Sequence, residues 1–514
     1  MVSQNGIKLA VHVITNHFGN LVANVCEYLL RKGPLTLEEL VRFTELTSEQ
    51  VKNSLLVLIQ HNCVQAYSHE EEGLSMNVGG STTAAKANTK YLAIFDNILH
   101  RLRFPKFLAI VTQKLDKECV ELLEGLLQDG RLTTKQMVAR ASQRGLGEDV
   151  VRDCLLKLVT SQYVERCPAR EPVICKLVTD ETTAKINEVP EALEQSILAA
   201  AVPVDAIRFS VTKNTGFCIN KEISSNSSTI TGVGEKRKLD SLELDTKPDA
   251  KEEEPVLWRA NFEEFIRSLR HTACIENVRM RLDDGAAIIL SAILEATRRE
   301  EKKVKMKTSV PLSLNSIFEA VMKTKDSCIM TLDRVRASLV QLGCPQRVPD
   351  DSYSIGLNSI IELARNDEVE SVVLKRYGRD AYRMFRLLSK ADRLLDTDKI
   401  SDTTFVEKKD TPKVLYKLWK DKYVHMEKLI LMGFKQSEVL LWRVNKPELW
   451  EHILDEMYRA TLNLSTRLAY EKEKGNAVLN VPKEKSVGAA EKSFQLLEAS
   501  VMKLDDALML FHDF

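Results

Sequence analysis

Glu27-Tyr-Leu-Leu-Arg-Lys-Gly-Pro-Leu-Thr36 and Glu124-Gly-Leu-Leu-Gln-Asp-Gly-Arg-Leu-Thr133 are identical at six of ten positions, and this repeat decides the fold. Self-similarity at a fixed spacing marks a chain built from copies of one supersecondary unit. Further on, Val51-Lys-Asn-Ser-Leu-Leu-Val-Leu-Ile59 lies against Val151-Arg-Asp-Cys-Leu-Leu-Lys-Leu-Val159, so the offset grows from 97 to 100 as a longer loop in the second copy requires. In the first copy Val22, Val25, Leu29 and Leu30 form an apolar helical stripe that stops at Gly33. Thr36-x-x-Glu39 has capping-box form and opens a short second helix carrying Leu37, Leu40 and Val41. A second box, Thr47-x-x-Gln50, opens a third helix with Val51, Leu55, Leu58 and Ile59 on one face. Val64 and Ala66 alternate, a polar run His69 to Gly73 follows, and Leu74, Met76 and Val78 alternate again, which predicts a β-hairpin. Three helices and a hairpin make a winged helix, whose third helix can enter a major groove.

The second copy repeats the order, with Thr133-x-x-Gln136 as cap, Val151 to Val159 as third helix and Tyr163 to Arg166 as strand. A third copy shows in Thr331-Leu-Asp-Arg-Val-Arg-Ala-Ser-Leu-Val-Gln-Leu342, which matches Thr47 to Leu58 at Thr, Val, Ser and two Leu positions. A helix around Leu314 to Met322 precedes it and a hairpin from Arg347 to Ile355 follows. A fourth copy is inferred from order: a helix from Arg379 to Leu395, another near Lys399, and a third from Thr411 with Leu415, Leu418 and Trp419 inward. Ser224 to Glu254 is too polar to bury a core and reads as a partly disordered linker. Trp450, Ile453, Met457, Ala460 and Leu464, then a break at Gly475 to Pro482, then Ala490, Phe494, Leu497, Val501, Leu504, Leu508 and Phe511 give two heptad helices, an antiparallel coiled-coil hairpin.

The expected fold is therefore mainly α, with four tandem winged helices and a C-terminal antiparallel coiled-coil hairpin. The boundaries are 1–115 and 116–190 for the first two modules, the first extended, and 191–254 for the linker. An extended third module at 255–377, a fourth at 378–446 and the hairpin at 447–514 complete the chain. Composition agrees: Gly and Pro together number 34 of 514 residues, against a usual share of about 12%, too few for a sandwich or barrel. The 73 basic and 73 acidic residues cancel, so net charge selects no partner. The ten cysteines include no C-x-x-C pair, which argues against a zinc ribbon or a secreted disulfide scaffold. No apolar run approaches the roughly 18 residues of a membrane span and no signal peptide is visible, so a soluble intracellular protein without membrane contact is expected. Lys236-Arg237-Lys238 has the composition of a nuclear import signal.

Catalytic motifs are missing from the sequence. It has no G-x-x-x-x-G-K-[ST], G-x-G-x-x-G, H-E-x-x-H or G-x-S-x-G, and His12 and His17 at i, i+5 do not share a helical face. Cys167 and Cys175 flank Pro168 with no histidine beside them and read as packing residues. No catalytic residue, cofactor or metal is expected, and the chain reads as a non-enzyme. Its first three third helices carry few cations, or have acidic wings, and suit protein docking better than base reading. Cations gather elsewhere. Arg298, Arg299, Lys302 and Lys303 begin a run that continues to Lys305 and Lys307, Arg334 and Arg336 sit on the third copy's third helix, and Arg379, Arg383, Arg386, Lys390 and Arg393 recur as one helical stripe. Six lysines between Lys408 and Lys422, including Lys413 and Lys417, add to that stripe. These residues are the candidate contacts to nucleic acid or to an acidic partner.

His17-Phe-Gly19, Val57-Leu-Ile-Gln-His-Asn62, Arg101-Leu-Arg-Phe-Pro105, Glu165-Arg-Cys-Pro168, Trp258-Arg-Ala-Asn-Phe262, Tyr377-Gly378 and Arg383-Met-Phe-Arg-Leu387, together with this domain order, are similar to the TFIIE-alpha-like winged-helix subunit of the RNA polymerase III initiation heterotrimer. The resemblance runs nearly end to end. It implies a non-catalytic nuclear polymerase III subunit that sits on the clamp of the core enzyme and holds the two other heterotrimer subunits. It further implies a role in promoter recognition and DNA opening, with DNA contacts largely free of sequence specificity and the coiled coil docking on the core. Two other classes compete. A winged-helix scaffold of the proteasome-lid type would carry one copy, not three or more, and a sequence-specific transcription factor would need a basic recognition helix.

Overall fold

The computed structural model describes residues 2–69, 88–174, 190–203, 205–211, 256–301, 303–323, 330–344, 352–431, 437–478 and 484–514. All three capping boxes form. The Thr36 N–H donates to Glu39 Oε2 at 2.8 Å while the Glu39 N–H donates to Thr36 Oγ1 at 3.3 Å. The Thr47/Gln50 pair does the same at 3.1 and 3.3 Å, and Thr133/Gln136 at 2.8 and 3.3 Å. Each box satisfies two backbone N–H groups that a helix leaves unpaired and is worth about 1 kcal/mol. The helices they start are Leu37–Thr44, Ser48–Gln60 and Thr134–Gln143.

In the first module the helices Gln4–Phe18 and Asn20–Lys32 precede these elements, and the strands Val64–His69 and Asn88–Ala93 form its wing. Val64 pairs with Ala93 and His69 with Asn88, so the wing closes on Asn88–Ala93. Leu74, Met76 and Val78, expected in that role, lie outside the described residues. The sequence showed alternation near the turn, but strand pairing is non-local and the partner lies further along the chain.

The second module contains Lys117–Asp129, Thr134–Gln143, Glu148–Thr160 and the strand Val164–Arg166. Its sheet is completed by Leu257–Ala260, which lies between Leu132–Thr133 and Val164–Arg166 and is antiparallel to both. The stretch read as a linker is thus inserted in the wing of the second module. It also contains the helix Pro190–Ala201, whose Ile197 is buried against Tyr67 and Leu92 of the first wing. Ser224 to Glu254 lies outside the described residues. In the third module, Phe262–Arg281, Asp284–Thr297, Leu314–Met322 and Leu332–Gln341 pack together. Of the expected hairpin from Arg347 to Ile355, Ser352–Tyr353 pairs with Leu312–Ser313, and Arg347 to Asp351 lies outside the described residues.

The fourth module has the most regular wing: Leu395–Asp396, Ser437–Arg443 and His425–Leu431 form an antiparallel sheet in that spatial order. Its helices are Arg379–Ala391, Thr397–Thr404 and Thr411–Lys420. Asp392 at φ 48° ends the first of these, so Leu395 is in a strand rather than the helix expected to reach it. Beyond this module, Lys446–Val478 and Glu484–His512 pack on one another as a helical hairpin. The first continues through Gly475 to Val478, and the rest of the break expected from Gly475 to Pro482 lies outside the described residues.

The modules do not pack in chain order. The first, the fourth and the root of the hairpin share one hydrophobic core, and the second and third share another. Two segments cross between the cores. Phe95–His100 places Phe95, Ile98 and Leu99 in the first core, and Phe104–Lys114 places Phe107 and Val111 in the other. Helix Leu357–Tyr377 runs from Leu357 and Ile361 in one to Val369 and Val373 in the other. Among the described residues no helix is long and apolar enough to cross a membrane.

Candidate nucleic-acid interface

Thr411–Lys420 occupies the position that enters a groove in winged helices. Thr411, Leu415 and Leu418 are buried, and this phase turns Lys413, Tyr416, Lys417 and Lys420 to the outside. Trp419, expected inward, is 37% exposed, and its ring lies 5.4 Å from that of Tyr416. Its i, i+4 spacing from Leu415 suggested the core, but Leu415 and Leu418 already fill the inner face. Phe405 stands 90% exposed in a left-handed backbone conformation at φ 57°, in the turn that leads to this helix. Cations next to exposed aromatic rings form a surface that attracts phosphate and stacks bases. The aromatic part escaped the sequence reading; the signal for it was Tyr416 and Trp419 at i, i+3.

The stripe on Arg379–Ala391 is shorter than expected. Arg379, Arg383, Arg386 and Lys390 are exposed on it, while Arg393 is exposed beyond the helix end, off the stripe. Arg386 donates to the Tyr382 hydroxyl at 2.7 Å and lies 3.7 Å from Glu370, and Arg383 is 4.0 Å from Asp380. Lys413 pairs with Asp410 at 2.9 Å, also at the surface. Exposed pairs of this kind are worth well under 1 kcal/mol and exchange readily for a phosphate.

The run from Arg298 divides. Arg298 is mostly buried: its Nε lies 2.5 Å from Glu264 Oε1 and its guanidinium 5.2 Å from the Tyr163 ring, joining the third module to the second. It is not a surface contact, because a mostly buried guanidinium held by Glu264 and packed on the Tyr163 ring cannot reach a partner without giving up both. Arg299 and Lys303 are exposed, and Lys302 lies outside the described residues. Arg334 and Arg336 are exposed on Leu332–Gln341, with Arg336 3.8 Å from Asp333. No group of metal-ligating side chains occurs among the described residues.

Three family models match successive parts of the chain: the RNA polymerase III subunit RPC82 helix-turn-helix domain at residues 8–69, RNA polymerase III subunit RPC82 at 153–343, and the POLR3C C-terminal winged-helix domain at 369–430. The chain belongs to the RNA polymerase III subunit C3 family. Curated relatives match over almost its whole length. DNA-directed RNA polymerase III subunit RPC3 of Danio rerio is 24% identical over 97% of this chain and 90% of its own. The Homo sapiens subunit of that name is 23% identical over 98% and 91%, and the Dictyostelium discoideum one 20% over 91% and 92%. The C-terminal winged-helix match covers the lysine and aromatic face, so that face belongs to a module that the family possesses.

Proposed function

We propose that this chain is a non-catalytic subunit of nuclear DNA-directed RNA polymerase III, one of a three-subunit subcomplex that docks on the clamp. There it assists promoter-directed initiation and DNA opening in the synthesis of tRNA and other small untranslated RNAs. The observation that carries this reading is the match to RPC3 subunits along nearly the whole chain, in an order of winged helices that a lone DNA reader does not need. The DNA contact is assigned to the fourth module. Its exposed third-helix face offers lysines and aromatic rings, which meet phosphates and base faces, and no Asn, Gln or Arg, so lysine alone could reach a guanine edge. Binding largely free of sequence specificity is the expected result.

The triple variant Arg383→Glu, Lys413→Glu, Lys417→Glu tests the assignment in the full chain. Fluorescence anisotropy with duplexes of unrelated sequence is expected to show weaker binding to all of them. The plot of log affinity against log salt should flatten by about one unit for each phosphate left without its cation. Unchanged binding, or weakening on one sequence alone, would refute this face.

A further inference from the structure

The two cores meet around the last two turns of one helix. Asp505 to Phe514 spans the end of the second hairpin helix and the two residues after it, and its side chains divide between the cores: Leu508 and Phe511 enter the core of the first and fourth modules, Met509 and Phe514 that of the second and third. These residues also hold both crossing segments. Arg103, fully buried at the bend between Phe95–His100 and Phe104–Lys114, lies 3.2 Å from Asp505 and 2.5 Å from Asp513. On the other crossing helix, Arg365 Nε donates to the Leu510 carbonyl at 2.9 Å. Lys305 of the third module donates to the His512 carbonyl at 2.8 Å.

Beside this helix end the cores touch through the rings of His100 and Phe262, 5.5 Å apart. Around that contact a cleft of about 250 Å³ lies between them, lined by Ile94 from one side, Ile266 and Lys305 from the other, and Asp513 from the helix end. Close-packed interiors transmit displacement, whereas a gap of this size leaves slack that only the surrounding attachments can take up. We propose that residues 505–514 are a clasp that, together with the backbone joint between Gln60 and Gly130, sets the angle between the two cores and ties that angle to the hairpin. Displacing the hairpin at this root moves both crossing segments together, since each is bonded to it.

The test uses the full chain with donor and acceptor dyes on an unnatural amino acid at Leu56 and Val340, exposed positions on the two sides. Single-molecule energy transfer is read for the parent, for Phe514→Ala and Asp513→Asn, and for Leu123→Ala, which lies in the second module's own bundle. The clasp variants should broaden the distance distribution and shift it, while Leu123→Ala lowers stability and leaves it narrow. Folded clasp variants with the parent's distribution would overturn the proposal. Hydrogen exchange on the parent serves where a variant does not fold. Amides of Phe95–Arg103 and Asp505–His512 should open as one unit before those of Leu122–Leu127, and opening only in global unfolding would equally overturn it.

Discussion

Alanine at Gly130 is expected to destabilise the chain by about 3–5 kcal/mol, while alanine at the matching repeat position, Gly33, costs only about 1–2 kcal/mol. Both glycines end a first helix with positive φ, +83° at Gly33 and +81° at Gly130, so both substitutions strain the backbone. They differ in surroundings. A Cβ on Gly33 would meet nothing within 4 Å, whereas one on Gly130 would stand 2.1 Å from the Gln60 carbonyl oxygen and 3.1 Å from His61 Cα. Backbone lies on both sides, so no side-chain rotation can relieve the clash. The approach is close because the first two modules are joined here. Gln60 Nε2 donates to the carbonyls of Asp129 and Arg131 at 2.9 and 2.6 Å, and Arg131 Nε donates to Asn62 Oδ1 at 2.9 Å. Calorimetry of the two variants should show an early transition advanced far more for Gly130→Ala than for Gly33→Ala. Equal shifts would mean that the joint is not tight.

Removing Arg103 should be similarly severe. Its guanidinium is fully buried and compensates Asp505 and Asp513, both nearly inaccessible. Arg103→Met leaves the buried Asp513 carboxylate with His512, a cation it shares with Asp96, and breaking such a pair costs about 3–5 kcal/mol. Adding Asp513→Asn to Arg103→Met removes the under-compensated carboxylate, so the double variant is expected to melt above the single one. A double variant less stable than Arg103→Met would show that Asp513 matters for packing rather than for charge.

The same cluster gives a pH dependence. Burial pulls the His512 imidazole down, but the carboxylates of Asp513 and Asp96 outweigh it and push it up to about 9, against 6.5 when unfolded. A group raised on folding stabilises the protein below its unfolded value and loses that stabilisation as pH rises through the folded one. A contribution on the order of 3 kcal/mol, complete below pH 6.5, should therefore fade as pH approaches and passes about 9. His512→Gln should flatten the melting temperature against pH across that window, and an unchanged alkaline limb would refute the assignment.

What the sequence revealed was local. Thr36 with Glu39, Thr47 with Gln50 and Thr133 with Gln136 act over three residues, so the repeats and their helix starts could be read directly. Pairings over distance could not. Leu257–Ala260 completes a sheet with Val164–Arg166 across the insertion, and Arg103 meets Asp505 across 402 positions, with nothing in either neighbourhood to announce it. The candidate interface was legible in part: Arg379, Arg383, Arg386, Lys390, Lys413 and Lys417 are exposed as their helical spacing predicts. Arg298 misled because a cation in a charged run has the same one-dimensional appearance whether a buried Glu264 awaits it or not. Trp419 misled because hydrophobicity says nothing about which face is already filled.

Affinity purification of the tagged chain from nuclear extract at moderate salt, with mass spectrometry of what remains bound, tests the central claim most directly. RNA polymerase III core subunits together with two further stoichiometric partners are the expected recovery. Recovery of a lid-type complex, or of no complex alongside tight binding to one DNA sequence, would contradict it.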